Sequence, residues 1–286
     1  YDRLVSMDDK SILADVWARD DPLTEGPVRP MKVLVGARSA VSDGHGSVSE
    51  WAAAAKHARV DVLCFTETFE HLKHDQWDRY VDQCRRQSDS QVTLLPGLDF
   101  DTDLGNRFLA IGHLARPRMH LMTEDGKRLA WTGHLLLGMG DVLPVAARPQ
   151  RLAQTRELGA LPPDLYSHCP GIAVATYRDG KQVDDGLFAY RWHASNGSLP
   201  IPVAVHEIDR PEQLQRAAKT GLQCFVNSDD PGRAAFYFRQ GHGTAGGNPM
   251  RYYVSSGPRL DEYWIDDWQS PHWKIGLAAH SRAPIT

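Results

Sequence analysis

Residues 31–68 read MKVLVGARSAVSDGHGSVSEWAAAAKHARVDVLCFTET, and the fold turns on this stretch. Lys32-Val33-Leu34-Val35 is a short apolar run that breaks into the Ser- and Gly-rich segment from Gly36 to Gly46. Ser47 followed by Glu50 is a capping-box signature, and the Ala-rich run from Val48 to Arg59 behind it predicts a helix. Val60 to Phe65 is almost wholly apolar, as a strand covered on both faces must be. Trp77 to Arg86 predicts a second helix with Trp77, Tyr80, Val81 and Cys84 on one face, and Val92 to Leu95 a third strand. Strand, helix, strand, helix, strand implies parallel βαβ units with right-handed crossovers. In such folds ligands collect at the carboxyl ends of the strands.

Outward from that stretch the pattern loosens. Upstream, one alternating segment, Ile12 to Trp17, precedes a Pro- and charge-rich linker, so residues 1–30 read as an extension. Downstream, Phe108 to Ile111, Leu135 to Leu137, Ile172 to Tyr177, Ile201 to Val205 and Leu222 to Val226 are apolar runs of strand character. Gln150 to Leu158 and Glu212 to Ala218 read as helices, and Pro231 suits the first position of a helix through Phe238. Residues 31–250 form the α/β body in this reading. Residues 251–286, with Tyr252-Tyr253-Val254, Tyr263 to Ile265 and Trp273 to Leu277, predict antiparallel strands leading towards a following domain.

Composition excludes several classes. The chain has 286 residues, 42% hydrophobic and 24% charged, which rules out a disordered, collagenous or coiled-coil protein. A net charge of −4 gives no global positive field to recruit nucleic acid. The richest apolar stretch, His134 to Ala147, is too short for a membrane span and is broken by Gly138, Gly140, Asp141 and Pro144. The cysteines at 64, 84, 169 and 224 show no C-x-x-C spacing and read as small buried hydrophobes. A start at Tyr1 and an open-ended tail read as a piece of a longer protein with covalently linked neighbouring domains.

The polar residues after each strand are the candidates for chemistry. Asp43, Glu67, Asp99, Asp101, Asp103, Asp229 and Asp230 supply oxygens that suit hard cations or acid–base work on a glycoside, and equally cap helices. Among thirteen histidines only His206 stands directly at a strand end. No H-E-x-x-H, H-x-H, P-loop, strand-linked G-x-G-x-x-G or G-x-S-x-G occurs. Trp51, Trp77, Trp131, Trp192, Trp264, Trp268 and Trp273 are enough for a sugar-stacking platform or a partly buried core.

The run from Val33 to Gly46 resembles the opening motif of the PHP (polymerase and histidinol phosphatase) superfamily of metal-dependent hydrolases, in which a strand leads into His-x-His and a Ser-Asp-Gly turn. Thr66-Glu67-Thr68 resembles its Thr-Asp-His, Gly97-Leu98-Asp99 its Gly-x-Glu, Val205-His206-Glu207 its His-Pro and Ser228-Asp229-Asp230-Pro231 its Ser-Asp-x-His. Phe236 to Pro258 is similar to the junction that leads to a β-sandwich in one branch. The resemblance implies a distorted seven-stranded (β/α) barrel. It also implies a metal site whose His positions are here Gly36, Arg38, Thr68 and Asn106, with Pro231 in place of the last. Arg38 puts a permanent cation where metal charge would be.

Three functions follow as expectations. The first is a ligand-binding or scaffold domain without a multinuclear centre or other cofactor. Its ligand, a small molecule or carbohydrate, would be met by Arg38, Asp43, Asp101, Asn106 and Asn227. The second is a phosphoesterase-like hydrolase in which Glu67, Asp99, His206 and Asp229 hold one Mn, Zn or Mg ion. The third is a metal-free glycosidase using Glu67 with Asp99 or Asp101.

Overall fold

The computed structural model describes residues 29–72, 76–101, 107–113, 142–147, 171–187, 201–240, 252–256, 259–266 and 274–280. The architecture is mixed α/β: a curled sheet of twelve strands, nine of them on one continuous path, and a separate hairpin. Strand β1 (Arg29–Ala37) lies at its centre. One edge of β1 pairs in parallel with β2 (Val62–Phe65). The other edge is divided, pairing antiparallel with β11 (Gln223–Ser228) along residues 29–33 and parallel with β10 (Ile201–Ile208) along 35–37.

Single residues interrupt the next two strands. Thr66 separates β2 from β3 (Glu67–Thr68), and Pro96 separates β4 (Thr93–Leu95) from β5 (Gly97–Asp101). β2 pairs with β4 and β3 with β5, both in parallel. The pairing continues antiparallel from β5 to β6 (Arg107–Ile111) and to β7 (Leu143–Ala146). It then runs parallel through β8 (Gly171–Arg178) to β10 and so returns to β1. β9 (Lys181–Asp185) hangs on β8, β12 (Tyr252–Ser255) on β11, and β13 (Arg259–Asp266) pairs with β14 (Lys274–His280).

The helices form where the sequence caps them. Helix α1 (Val48–Ala58) carries the capping box in full: the Ser47 hydroxyl accepts from the Glu50 N–H while the Glu50 carboxylate accepts from the Ser47 N–H at 2.6 Å. Helix α2 (Trp77–Gln87) buries Trp77, Tyr80 and Cys84, and the short α3 (Leu214–Ala217) follows a 3-10 turn. In α4 (Pro231–Gln240) the Asp230 carboxylate caps the N–H groups of Gly232 and Arg233 at 2.8 and 3.1 Å, with proline in the first position. Leu135 to Leu137 and Gln150 to Leu158 lie outside the described residues.

Both faces of the central strands are covered, which is why they read as unbroken apolar runs. Leu34 and Leu63 pack under the helices with Trp51 and Tyr80. Val33, Val35 and Cys64 face the other way, meeting Leu109, Val145, Val203 and Phe238 of α4. The period of two places neighbouring residues in different cores. Cys64, Cys84 and Cys224 are buried free thiols. No helix among the described residues is long and apolar enough to cross a membrane.

Gly36 joins β1 to β10. Its φ is +117°, and a Cβ there would lie 2.3 Å from the His206 carbonyl oxygen. Any side chain at 36 must push β10 away. Gly36→Ala is expected to cost about 2 kcal/mol, read as a lower urea midpoint at unchanged m-value.

Candidate functional site

The turn at 39–46 that follows β1 is held by one buried carboxylate. Glu67 accepts the Ser39 N–H on both oxygens (3.0 and 3.1 Å), the Ser39 hydroxyl at 2.6 Å and the Ser42 hydroxyl at 2.5 Å. It is 0% exposed, and burial, resisted by those hydrogen bonds, raises its pKa from 4.5 to about 7. Glu67 stands opposite Leu98 in the register and shares its helix-facing side, whereas Thr68 and Asp99 stand opposite each other and face a cleft.

That cleft, at the carboxyl end of β1, is built on a row of alternating charge. Arg38 lies 3.7 Å from Asp43 and donates from Nη2 to Asp99 at 3.0 Å. Arg107 donates from Nε to both Asp99 oxygens (2.7 and 2.9 Å), from Nη2 again to Asp99 and from Nη1 to Glu207. Arg178 Nε completes the row on Glu207 at 2.8 Å. Register places two of these contacts. Arg178 is the partner of Glu207 across β8 and β10, and Arg107 is opposite Asp101, one same-face position from Asp99, across β5 and β6.

The charges set one another's protonation. Burial would lift Glu207, but Arg107 and Arg178 outweigh it and hold the carboxyl below its ordinary value. Burial would likewise lift Asp43, but the Thr68 hydroxyl, Arg38 and the Ser42 hydroxyl together outweigh it and hold the carboxyl below its ordinary value. Burial alone would lower Arg107, yet Asp99 and Glu207 drive it upward, so it stays charged at every working pH. Three hollows open along the row: about 240 Å³ beside Thr68, Phe69 and Asp101, about 200 Å³ beside Thr176 and Val183, and about 450 Å³ beside Asp209 and Gln213. Arg178 borders all three.

The residues singled out in the sequence are divided by this geometry. Arg38, Asp43, Asp99 and Asp101 line the cleft together. Glu67 lies behind it, so the pair Glu67 with Asp99 or Asp101 does not face one substrate. His206 is on the opposite side of β10 from Glu207: its Nε2 lies 2.9 Å from the Leu222 carbonyl and its ring stacks on Tyr177. Burial lowers its pKa from 6.5 to about 4, only partly offset by the Leu222 carbonyl, so the imidazole is neutral and Nε2–H donates to that carbonyl. Asp229 and Asn227 lie at the other end of the sheet, because β11 runs antiparallel to β1 and sets Asn227 beside Pro30. There Asp229 binds Arg233 at 2.7 Å. Asn106 lies outside the described residues. Trp51 and Trp77 are core, not platform.

Sequence reading missed Arg107, Arg178 and Glu207. The available signal was a charged residue at the end of each of three apolar runs; the partners that bury Glu207 lie 100 and 29 residues away.

No protein-family model matches the chain, and no curated protein matches it. Among solved structures it is similar to a two-domain protein from Bacteroides vulgatus described as containing a predicted PHP-like metal-dependent phosphoesterase. The identity is 16% and the TM-score 0.54 over 80% of this chain and 65% of that one. The fold is PHP-like. This chain spans about two thirds of that neighbour's length. It is less similar to PsfC from Pseudomonas syringae, at 12% identity and TM-score 0.41, covering 69% of this chain and 82% of that one.

Among the described residues, the donors do not fit the metal that a PHP-like fold suggests. Both Asp99 oxygens are occupied by guanidinium groups, Glu67 is spent on the 39–46 turn, and His206 faces away. Gly36 admits no ligand side chain. Among the described residues no group of three or more His, Cys, Asp or Glu is placed to hold an ion.

Proposed function

We propose that this chain is a PHP-type barrel domain that binds a ligand, or serves as a scaffold, through an arginine–carboxylate row where relatives of the fold would hold metal. The reading takes β2 with β3 and β4 with β5 as interrupted single strands, and the pairing path from β1 round through β10 then supports a barrel of seven. The observation that carries the reading is the double occupancy of Asp99 by Arg38 and Arg107. A guanidinium cannot be deprotonated to make way for an ion, and releasing Asp99 would strand a buried charge. The hydrolase alternative, one Mn, Zn or Mg ion on Glu67, Asp99, His206 and Asp229, asks for donors from two faces and both ends of the sheet. A further attached domain belongs to the proposal, since the Bacteroides neighbour is itself a two-domain protein.

Metal analysis tests it. Protein incubated with Mn²⁺, Zn²⁺ and Mg²⁺ and then gel-filtered is expected to retain well under one ion per chain. Two or more retained ions overturn the proposal.

A further inference from the structure

We infer that the cleft takes a neutral polyhydroxylated ligand, a saccharide carrying no carboxylate, sulfate or phosphate. This rests on the reading that guanidinium groups, not ions, occupy the strand ends. Charge is the first argument. The guanidinium groups of Arg38, Arg107 and Arg178 already face Asp43, Asp99 and Glu207. Asp101 and Glu70 line the same hollow and, among the described residues, have no hydrogen-bond or ion-pair partner. An arriving anion therefore meets surplus carboxylate. To gain Arg107 it must displace Asp99 or Glu207 and leave a buried charge unpaired.

Hydrogen-bonding capacity is the second argument. The hollow sets Arg38 and Arg178 beside carboxylates that only accept, while the Arg38 Nε itself is buried and, among the described residues, makes no hydrogen bond. A hydroxyl donates and accepts at once, and vicinal hydroxyls can serve a guanidinium and a carboxylate standing side by side. Saccharides present such arrays. An apolar wall is also present: Phe69, half-buried and 4.9 Å from the Phe100 ring centroid, borders the hollow and offers its ring to the C–H face of a sugar. The hollow of about 240 Å³ is smaller than a drug-sized site of roughly 300–1,000 Å³ and suits one sugar ring. The larger hollow across Arg38 and Arg178 continues the path for a second ring, with Asp209 and Arg210 among its walls.

Saturation-transfer NMR on the full chain tests this with glucose, galactose, mannose, xylose and N-acetylglucosamine, against glucuronate, galacturonate and glucose 6-phosphate. At least one neutral sugar is expected to receive saturation, its charged counterpart at least fivefold less. Phe69→Ala is expected to lower the signal about tenfold. Asp101→Asn, at an exposed position, is expected to raise the uronate signal relative to the neutral sugar about threefold. Silence from every neutral sugar, stronger transfer to the anions, or an unchanged ratio in Asp101→Asn overturns the inference. Metal content is read on the same preparation. Two or more retained ions defeat the functional proposal whatever the sugars do, whereas an ion-poor protein that ignores neutral sugars defeats this inference alone.

Discussion

Arg107→Met is expected to lower stability by about 3–5 kcal/mol, because it leaves two buried carboxylates short of their shared cation. Arg107 is 8% exposed and joins Asp99 to Glu207, themselves 8% and 9% exposed. Arg38 still holds Asp99 and Arg178 still holds Glu207, but both lie nearer solvent, and the Arg178 side chain is 59% exposed. Outer cations cannot substitute for a central one that donates to both acids. Against a typical total of about 5–15 kcal/mol, the loss is large. The triple variant Arg107→Met, Asp99→Asn, Glu207→Gln is expected to recover more than half of it, since a neutral row strands no charge. Urea midpoints for both proteins check the claim. A loss below about 1 kcal/mol in the single variant, or no recovery in the triple, would show that water reaches this row freely.

The frame around the row was legible because its signals are local. The Ser47 and Glu50 capping box, the Pro231 helix start and the apolar runs at 60–65 and 172–177 act within a few residues of chain, and the helices and strands stand within two residues of where those signals put them. The site was legible only in part. Glu67 and Asp99 look equivalent in sequence, each just beyond an apolar run. Yet Thr66 and Pro96 interrupt the two strands, and the resumed register puts Glu67 beside Leu98 and Asp99 across from Leu109. One residue of offset separates a brace from a cleft wall. His206 and Glu207 divide in the same way, and the strand that seemed to stop before them runs to Ile208. For Asp229 the deciding fact is strand direction. A carboxyl end is a ligand site only if the strand is parallel to its neighbours, and nothing local says that β11 is not.

Glu67 and His206 are expected to mask each other's effect on stability between pH 5 and 8, and single variants to expose it. The folded pKa of Glu67 is raised, from 4.5 to about 7, so the stability it contributes is full at low pH and lost as pH rises through 7. The folded pKa of His206 is depressed, from 6.5 to about 4, so its contribution is full above 6.5 and lost as pH falls towards 4. At about 1.4 kcal/mol per unit, moving from pH 8 to 5 adds about 2–3 kcal/mol through Glu67 and removes about 2 through His206. Wild type should therefore show little net slope from this pair. Glu67→Gln, which keeps an acceptor for the Ser39 N–H, should lose about 2 kcal/mol on acidification over that range. His206→Gln, which can still donate to the Leu222 carbonyl, should gain about 2–3 kcal/mol. The double variant should be flat again. Urea midpoints at pH 5, 6, 7 and 8 decide it: if both single variants keep the wild-type slope, neither burial perturbs its group, and the tight seal around the 39–46 turn and beneath α3 is not real.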